Sequence, residues 1–377
     1  FFFWPGSRGV RPWHGWREAG GKSAPMGRKA RAGKEPSGGQ ETLAAAECAR
    51  EAAGAAEELL ESDPARALQL LEQALAARPT DQSAWYHHGV AASNLWELQG
   101  EYEPPPSERA GLLSTALSSW ARVVTLDTST RSEARYLAAT ARGKLLARAS
   151  AELHDEEDAR PGLWESALAQ AREADASFKE ALRLHEQWGH PPLDGTALGA
   201  WAEALALEMK LTLEGMGPGA WHDGAAHAEL VALCFSATER FRAATTAVDE
   251  EGMADASQQG DLHWMTLHAE CLLEFVTHAV RALEAASAPT GGGAQAAAAA
   301  QRWRESAAPR WQEALRLAVA CEQLQAESPG HERWTATMLR GDALAAGAAL
   351  AGALGQHWPG AQLQLPGCPA LPAASAG

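Results

Sequence analysis

A small residue, a large apolar residue four positions later and a second small residue three positions after that recur five times along this chain. The copies are Ala67, Leu71 and Ala74; Ala116, Trp120 and Val123; Ala174, Phe178 and Ala181; Ala237, Phe241 and Ala244; and Ala307, Trp311 and Ala314. Steps of four and three bring the three side chains onto one stripe of an α-helix, whereas a strand alternates faces at every residue and would scatter them. On such a stripe the small residues let a neighbouring helix approach and the large one fills the space between. Composition points the same way, with Ala, Leu, Glu, Gln and Arg abundant and the strand formers Val, Ile, Thr and Tyr scarce. The expected fold class is all-α.

These triplets resemble the second helix of a tetratricopeptide hairpin, whose pattern is Ala-x-x-x-Phe-x-x-Ala followed five residues later by Pro. In the first copy Pro79 falls five residues after Ala74. Trp85 and Gly89 then stand where the family's first helix places its Trp and its Gly, with His88 in the position of the family's Leu. Looser first-helix signals begin at Trp201 with Ala204 and Leu205, at Trp264 with Leu267, and at Trp334 with Met338 and Gly341. The resemblance is tightest over residues 63–126 and continues through 130–350. It implies an α-solenoid of antiparallel helical hairpins whose packing residues include Ala67, Leu71, Ala74, Gly89, Trp120, Phe178, Ala181, Phe241, Ala244, Trp311 and Ala314.

The repeats are irregular. Successive triplets lie 49, 58, 63 and 70 residues apart, against about 34 in the family. Part of the surplus is assigned to loops at 100–107, which holds Pro104-Pro105-Pro106, at 154–162 and at 285–293, and part to long helices over 220–249 and 261–286. Ser62-Asp63-Pro64, Pro79-Thr80-Asp81, Pro192-Leu193-Asp194 and Gly260-Asp261 offer Asp caps or proline starts just before apolar periodic runs. About ten helices follow from this punctuation. A metal-binding four-helix bundle would need inward-facing Glu-x-x-His pairs, and no usable pair occurs.

Residues 40–357 are therefore read as one helical-repeat domain. Before it, residues 1–39 mix Gly, Pro, Arg and Lys without helical periodicity and read as a disordered basic leader, either an organelle transit peptide or sequence upstream of a start at Met26. After it, residues 358–377 read as a Pro- and Gly-rich tail. Charge divides along the same line. The net charge of −16 hides a leader with eight Lys and Arg against two acids and a remainder with 24 bases against 46 acids. An acidic body disfavours nucleic acid and anionic lipid and favours a basic protein partner. No stretch reaches the roughly 18 to 20 apolar residues of a membrane span.

Thirteen histidines and five cysteines call for a search for chemistry. His-Glu-x-x-His is absent. The pairs His185 and His190, His222 and His227, and His263 and His268 are each five apart, which splays them by about 140° around a helix and disfavours a shared ion. Cys48, Cys234, Cys271, Cys321 and Cys368 are scattered, with no C-x-x-C pair. Cys234 and Cys271 read as small hydrophobes on apolar stripes, with no cation nearby in sequence to lower a thiol pKa. Asp155, Glu156, Glu157 and Asp158 lack the Gly and further oxygen ligands of a calcium loop. No catalytic residue, metal or cofactor is expected.

What remains is binding. Trp85, Tyr86, His87 and Asn94 on the first helix of the best hairpin are the candidate protein-binding residues. The same stretch lacks the Lys and Arg with which tetratricopeptide proteins clamp acidic peptides, so a basic or apolar segment is the expected ligand. The leading reading is a scaffold, chaperone or adaptor in ribosome assembly, translation or nuclear transport, placed in cytoplasm or nucleus. The basic leader and Gly341-Asp342-Ala343-Leu344 resemble the fungal enhancers of translation termination. The alternatives are a structural subunit of a mitochondrial or plastid assembly, with Trp164, Trp188 and Trp221 as an exposed interface row, and an enzyme with an unrecognised site.

Overall fold

The computed structural model describes residues 38–100, 106–127, 133–155, 162–217, 220–247, 258–287, 293–327 and 334–353. The basic leader up to residue 37, the C-terminal tail, the triple proline up to Pro105 and the acids Glu156 to Asp158 lie outside the described residues, while the leader's last two residues, Gly38 and Gly39, open the first helix. Within them there is no strand, and the fold is all-α. Eleven helices follow in order: α1 Gly38–Leu59, α2 Pro64–Ala77, α3 Gln82–Gly100, α4 Pro106–Leu126, α5 Glu133–Asp155, α6 Trp164–Trp188, α7 Gly195–Gly215, α8 Gly224–Thr246, α9 Gln258–Ser287, α10 Ala294–Glu327 and α11 Trp334–Ala353, with a short 3-10 turn at Ala220–His222. Sequence neighbours pack as in helical hairpins: α1 on α2, α2 on α3 and α3 on α4, and again α7 on α8, α8 on α9, α9 on α10 and α10 on α11.

The five triplets fall on α2, α4, α6, α8 and α10, the second member of each successive pair. All fifteen residues are buried. Their large members Leu71, Trp120, Phe178, Phe241 and Trp311 are no more than 3% exposed, and burial of each contributes about 2–3 kcal/mol from apolar area alone. On α10 the stripe extends through Ala296, Ala299, Trp303, Ala307, Trp311, Ala314, Ala318 and Cys321, all buried. This 34-residue helix is about 51 Å long, so the wide triplet spacing near the C-terminus is spent on helix length. The first members of the pairs are covered on more sides. On α3, Ala84, the run from His88 to Asn94 and Trp96 are all buried, because the helix packs on both α2 and α4.

Close approach is secured by glycine. A Cβ on Gly89 would lie 2.4 Å from the Trp120 indole, and one on Gly143 would lie 2.9 Å from the Phe178 ring. Each ring is the large member of a triplet seated on the preceding helix. The buried indoles also find acceptors across helices: Trp120 Nε1 donates to the Tyr86 carbonyl at 3.3 Å, Trp201 to Asp175 at 2.9 Å, Trp303 to the Trp221 carbonyl at 3.1 Å and Trp311 to the Ala343 carbonyl at 2.8 Å. Tryptophan thus serves as apolar filler and polar staple together.

Helix starts are capped by aspartate. Asp63 accepts from the Arg66 N–H, Asp81 from Ala84, and Asp194 from Ala197; each such cap stabilises by about 1 kcal/mol. Asp261 is not a cap, since α9 begins three residues earlier at Gln258. Asp223, not anticipated from sequence, caps α8 through Ala225 N–H at 2.8 Å. The first-helix signal at Trp334 carries Met338 on the exposed side of α11, 56% accessible, so that stripe is narrower than its spacing implied. The exposed tryptophan row is corrected too: Trp164, Trp188 and Trp221 are all half-buried.

The chain divides into two compact units. The first holds Phe1–Arg142 with Leu184–His190, the second Gly143–Arg183 with Pro191–Gly377. In the first, α1 to α4 pack in sequence, and the Tyr136 ring stacks on His190 at 5.1 Å. In the second, α9 is central, packing on α7, α8, α10 and α11.

Candidate functional site

The anticipated binding residues in the first unit are engaged in its own packing. Asn94 is 7% exposed, and its Nδ2 donates to the Leu60 carbonyl at 2.9 Å, satisfying an acceptor at the end of α1 that has no helical partner. Trp85 Nε1 donates to the Pro79 carbonyl at 2.9 Å. Burial pushes the Tyr86 hydroxyl up to about 12. His87 lies 4.0 Å from Glu57; burial holds its imidazole below the ordinary range, against the opposing pull of Glu57 and Asp81. Trp85 and His87 retain only part of their surface toward solvent. Beside them His88 Nδ1 contacts Ser119 Oγ at 2.8 Å, while that hydroxyl donates to the Thr115 carbonyl at 2.7 Å. A hydroxyl has one proton, so His88 carries its own on Nδ1 and donates.

The second unit holds a denser polar arrangement, a seam where α8, α9 and α10 meet. From α8 come His227, Cys234 and Arg242; from α9 His268, Cys271, Glu274 and His278; from α10 Ser306, Arg310 and Glu313. At one end His227 Nε2 meets Ser306 Oγ at 3.1 Å, and Ser306 Oγ donates to the Trp303 carbonyl at 3.1 Å. His227 is again the donor. A histidine that gives its proton to a serine cannot also withdraw one, so this pair is a structural hydrogen bond and not a nucleophile with its base. Burial, then Arg302 and Arg310, hold His227 below its ordinary range.

At the centre Arg310 is fixed three ways. Its Nη1 donates to the Ser306 carbonyl at 2.7 Å, its guanidinium carbon stands 4.7 Å from the centre of the Phe275 ring, and its Nε donates to Cys234 Sγ at 3.3 Å. The neighbouring Cys271 thiol and Arg310 outweigh burial and bring Cys234 down to about 7, whereas Cys234 and burial push Cys271 up. The expectation that no cation approaches Cys234 is thus overturned: Arg310 arrives from 76 residues away on α10. At the other end Arg242 bridges Glu239 and Glu313, and His268 Nε2 lies 4.0 Å from Glu313 and stacks on Phe241. Burial brings His268 down to about 4.

Stripe position alone placed Cys234 and Cys271 in the core, and no local signal paired them or pointed to Arg310. Among the described residues no group of three or more His, Cys, Asp or Glu side chains is placed to hold a metal ion, and no helix is long and apolar enough to cross a membrane. No protein-family model matches the chain, and no curated protein matches it.

Proposed function

We propose that this chain is a tetratricopeptide-like scaffold that holds a basic protein segment, and that the contact surface is the acidic face of α1. The observation that carries the reading is a row of glutamates. Glu47, Glu51 and Glu58 are exposed on one face of α1, at steps of four and seven, and exposed Glu61 follows just past its end. Between residues 47 and 63 there are six acids and a single base, Arg50. Glu57 and Glu58 stand in the last turn of α1, which holds no base, where the negative end of the helix dipole disfavours carboxylates. Helix stability therefore does not account for this pattern, whereas attraction of a basic partner does. Trp85, Tyr86, His87 and Asn94 support the hairpin under this face. The corresponding roles are those of an adaptor or chaperone for basic proteins in the cytoplasm or nucleus.

A fluorescent Lys/Arg-rich peptide titrated with the full chain tests the reading. Binding should weaken about tenfold or more between 50 and 300 mM salt, roughly the loss expected when several charge pairs are screened, and by a similar factor in Glu51→Lys/Glu58→Lys. Affinity that ignores both salt and charge reversal overturns it.

A further inference from the structure

We propose that Cys234 and Cys271 form a thiol-oxidation site, which a small hydroperoxide converts to an intrachain disulfide joining α8 to α9. The geometry distinguishes these cysteines from ordinary core thiols. Both are buried, on helices α8 and α9 that pack against each other, and each thiol shifts the ionisation of the other. Arg310 Nε donates to Cys234 Sγ at 3.3 Å, and Arg310 is itself held by the Ser306 carbonyl and the Phe275 ring. A guanidinium N–H directed at the sulfur favours the thiolate, the form that attacks peroxides. The charged groups facing the pair are Arg310 and Glu313 from α10 and Glu274 from α9; Arg242 neutralises Glu313, and His278 hydrogen-bonds Glu274 at 3.0 Å. The balance leaves Cys234 ionised to a substantial degree at neutral pH and Cys271 protonated.

Entry is favoured beside Arg310. Pro309 lies inside α10 and is exposed; having no N–H, it leaves the Glu305 carbonyl without its helical donor. The helix is weakest at the turn that carries the guanidinium, and local opening there admits a molecule the size of hydrogen peroxide.

The chemistry balances. The Cys234 thiolate attacks the terminal peroxide oxygen, the S–O bond forms, the O–O bond breaks, and an oxyanion departs toward Arg310 and takes a proton from solvent. The Cys271 sulfur then attacks the Cys234 sulfenic acid; the S–S bond forms, the S–O bond breaks, and hydroxide leaves with the Cys271 proton as water. Two electrons pass from the two sulfurs to the peroxide.

The test treats the full chain with hydrogen peroxide, alkylates free thiols and maps peptides without reduction. The expected product is a Cys234–Cys271 disulfide, about 2 Da lighter than the dithiol and reversed by dithiothreitol, that forms while Cys48 is still alkylated. Cys271→Ser should trap a dimedone-reactive sulfenic acid at Cys234. Arg310→Met should slow oxidation at pH 7 by about two- to fivefold, the loss of thiolate being offset in part by greater nucleophilicity. Cys48 oxidised while Cys234 and Cys271 are recovered as free thiols, or Cys234 joined to any other cysteine, overturns the proposal on the unmodified sequence, whatever the variants do.

Discussion

Asn94 shows how much one buried side chain can decide. Its amide is the donor that satisfies the Leu60 carbonyl at 2.9 Å, in a place water does not reach. Asn94→Ala leaves that carbonyl without a partner, and the cost of an unmade buried hydrogen bond is about 1–3 kcal/mol. Urea unfolding of the variant should show a lowered midpoint with an unchanged slope. Asn94→Asp should be worse, since a carboxylate faces the carbonyl with no proton to give. The buried indoles follow the same logic. Trp120, Trp201, Trp303 and Trp311 each donate to an acceptor on another segment, a bond that phenylalanine filling the same volume would lack.

Helix pairs are set by how near two backbones come. Trp120 lies flat against α3 because position 89 has no side chain, and a Cβ there would stand 2.4 Å from the indole. The ring has no flexible end to move aside, so Gly89→Ala must part α3 from α4 or rotate Trp120 out of its hydrogen bond to Tyr86. Overpacking of this kind costs about 1–3 kcal/mol. Gly54 on α1 is the control, since nothing lies within 4 Å of its Cβ position. Gly54→Ala should stabilise by up to about 1 kcal/mol through helix propensity. Thermal melts of the two variants should move in opposite directions, and indole fluorescence should change only in the first.

Across the molecule the histidines set the response to acid. His87, His88, His227 and His268 are all held below the ordinary imidazole range, burial being the largest cause for each. A folded pKa below the unfolded value means that the unfolded chain binds more protons between the two. The stability from these groups is therefore complete above about pH 6.5 and is lost as pH falls toward the folded values. For His268, brought down to about 4, the loss is on the order of 3 kcal/mol. Denaturation midpoints should fall from pH 7 to pH 4.5, and His268→Gln should flatten that slope. An equal slope in the variant would assign the acid response to other groups.

The features legible in the sequence are those written within one or two helical turns. The triplets specify helices and their buried face because a spacing of four and three has meaning only at 3.6 residues per turn, and Asp63, Asp81 and Asp194 mark helix starts because a cap acts on a backbone N–H three residues on. Of the two long helices expected from the widening intervals, 261–286 is α9, whereas 220–249 divides at Asp223 into a 3-10 turn and α8, and the length of α10 was not anticipated. Asp261 misplaced one boundary, since a polar residue inside a helix looks like a cap when its neighbours are not seen. Tertiary structure alone decided the rest. Asn94 reaches Leu60 across 34 residues and Arg310 reaches Cys234 across 76. Whether a polar side chain on a helix turns to solvent, to a neighbour's open carbonyl or to a thiol depends on which helix lies opposite, and local periodicity carries no information about that. The site at Cys234 exists because three stripes, each apolar by its own spacing, bring their few polar members to one seam.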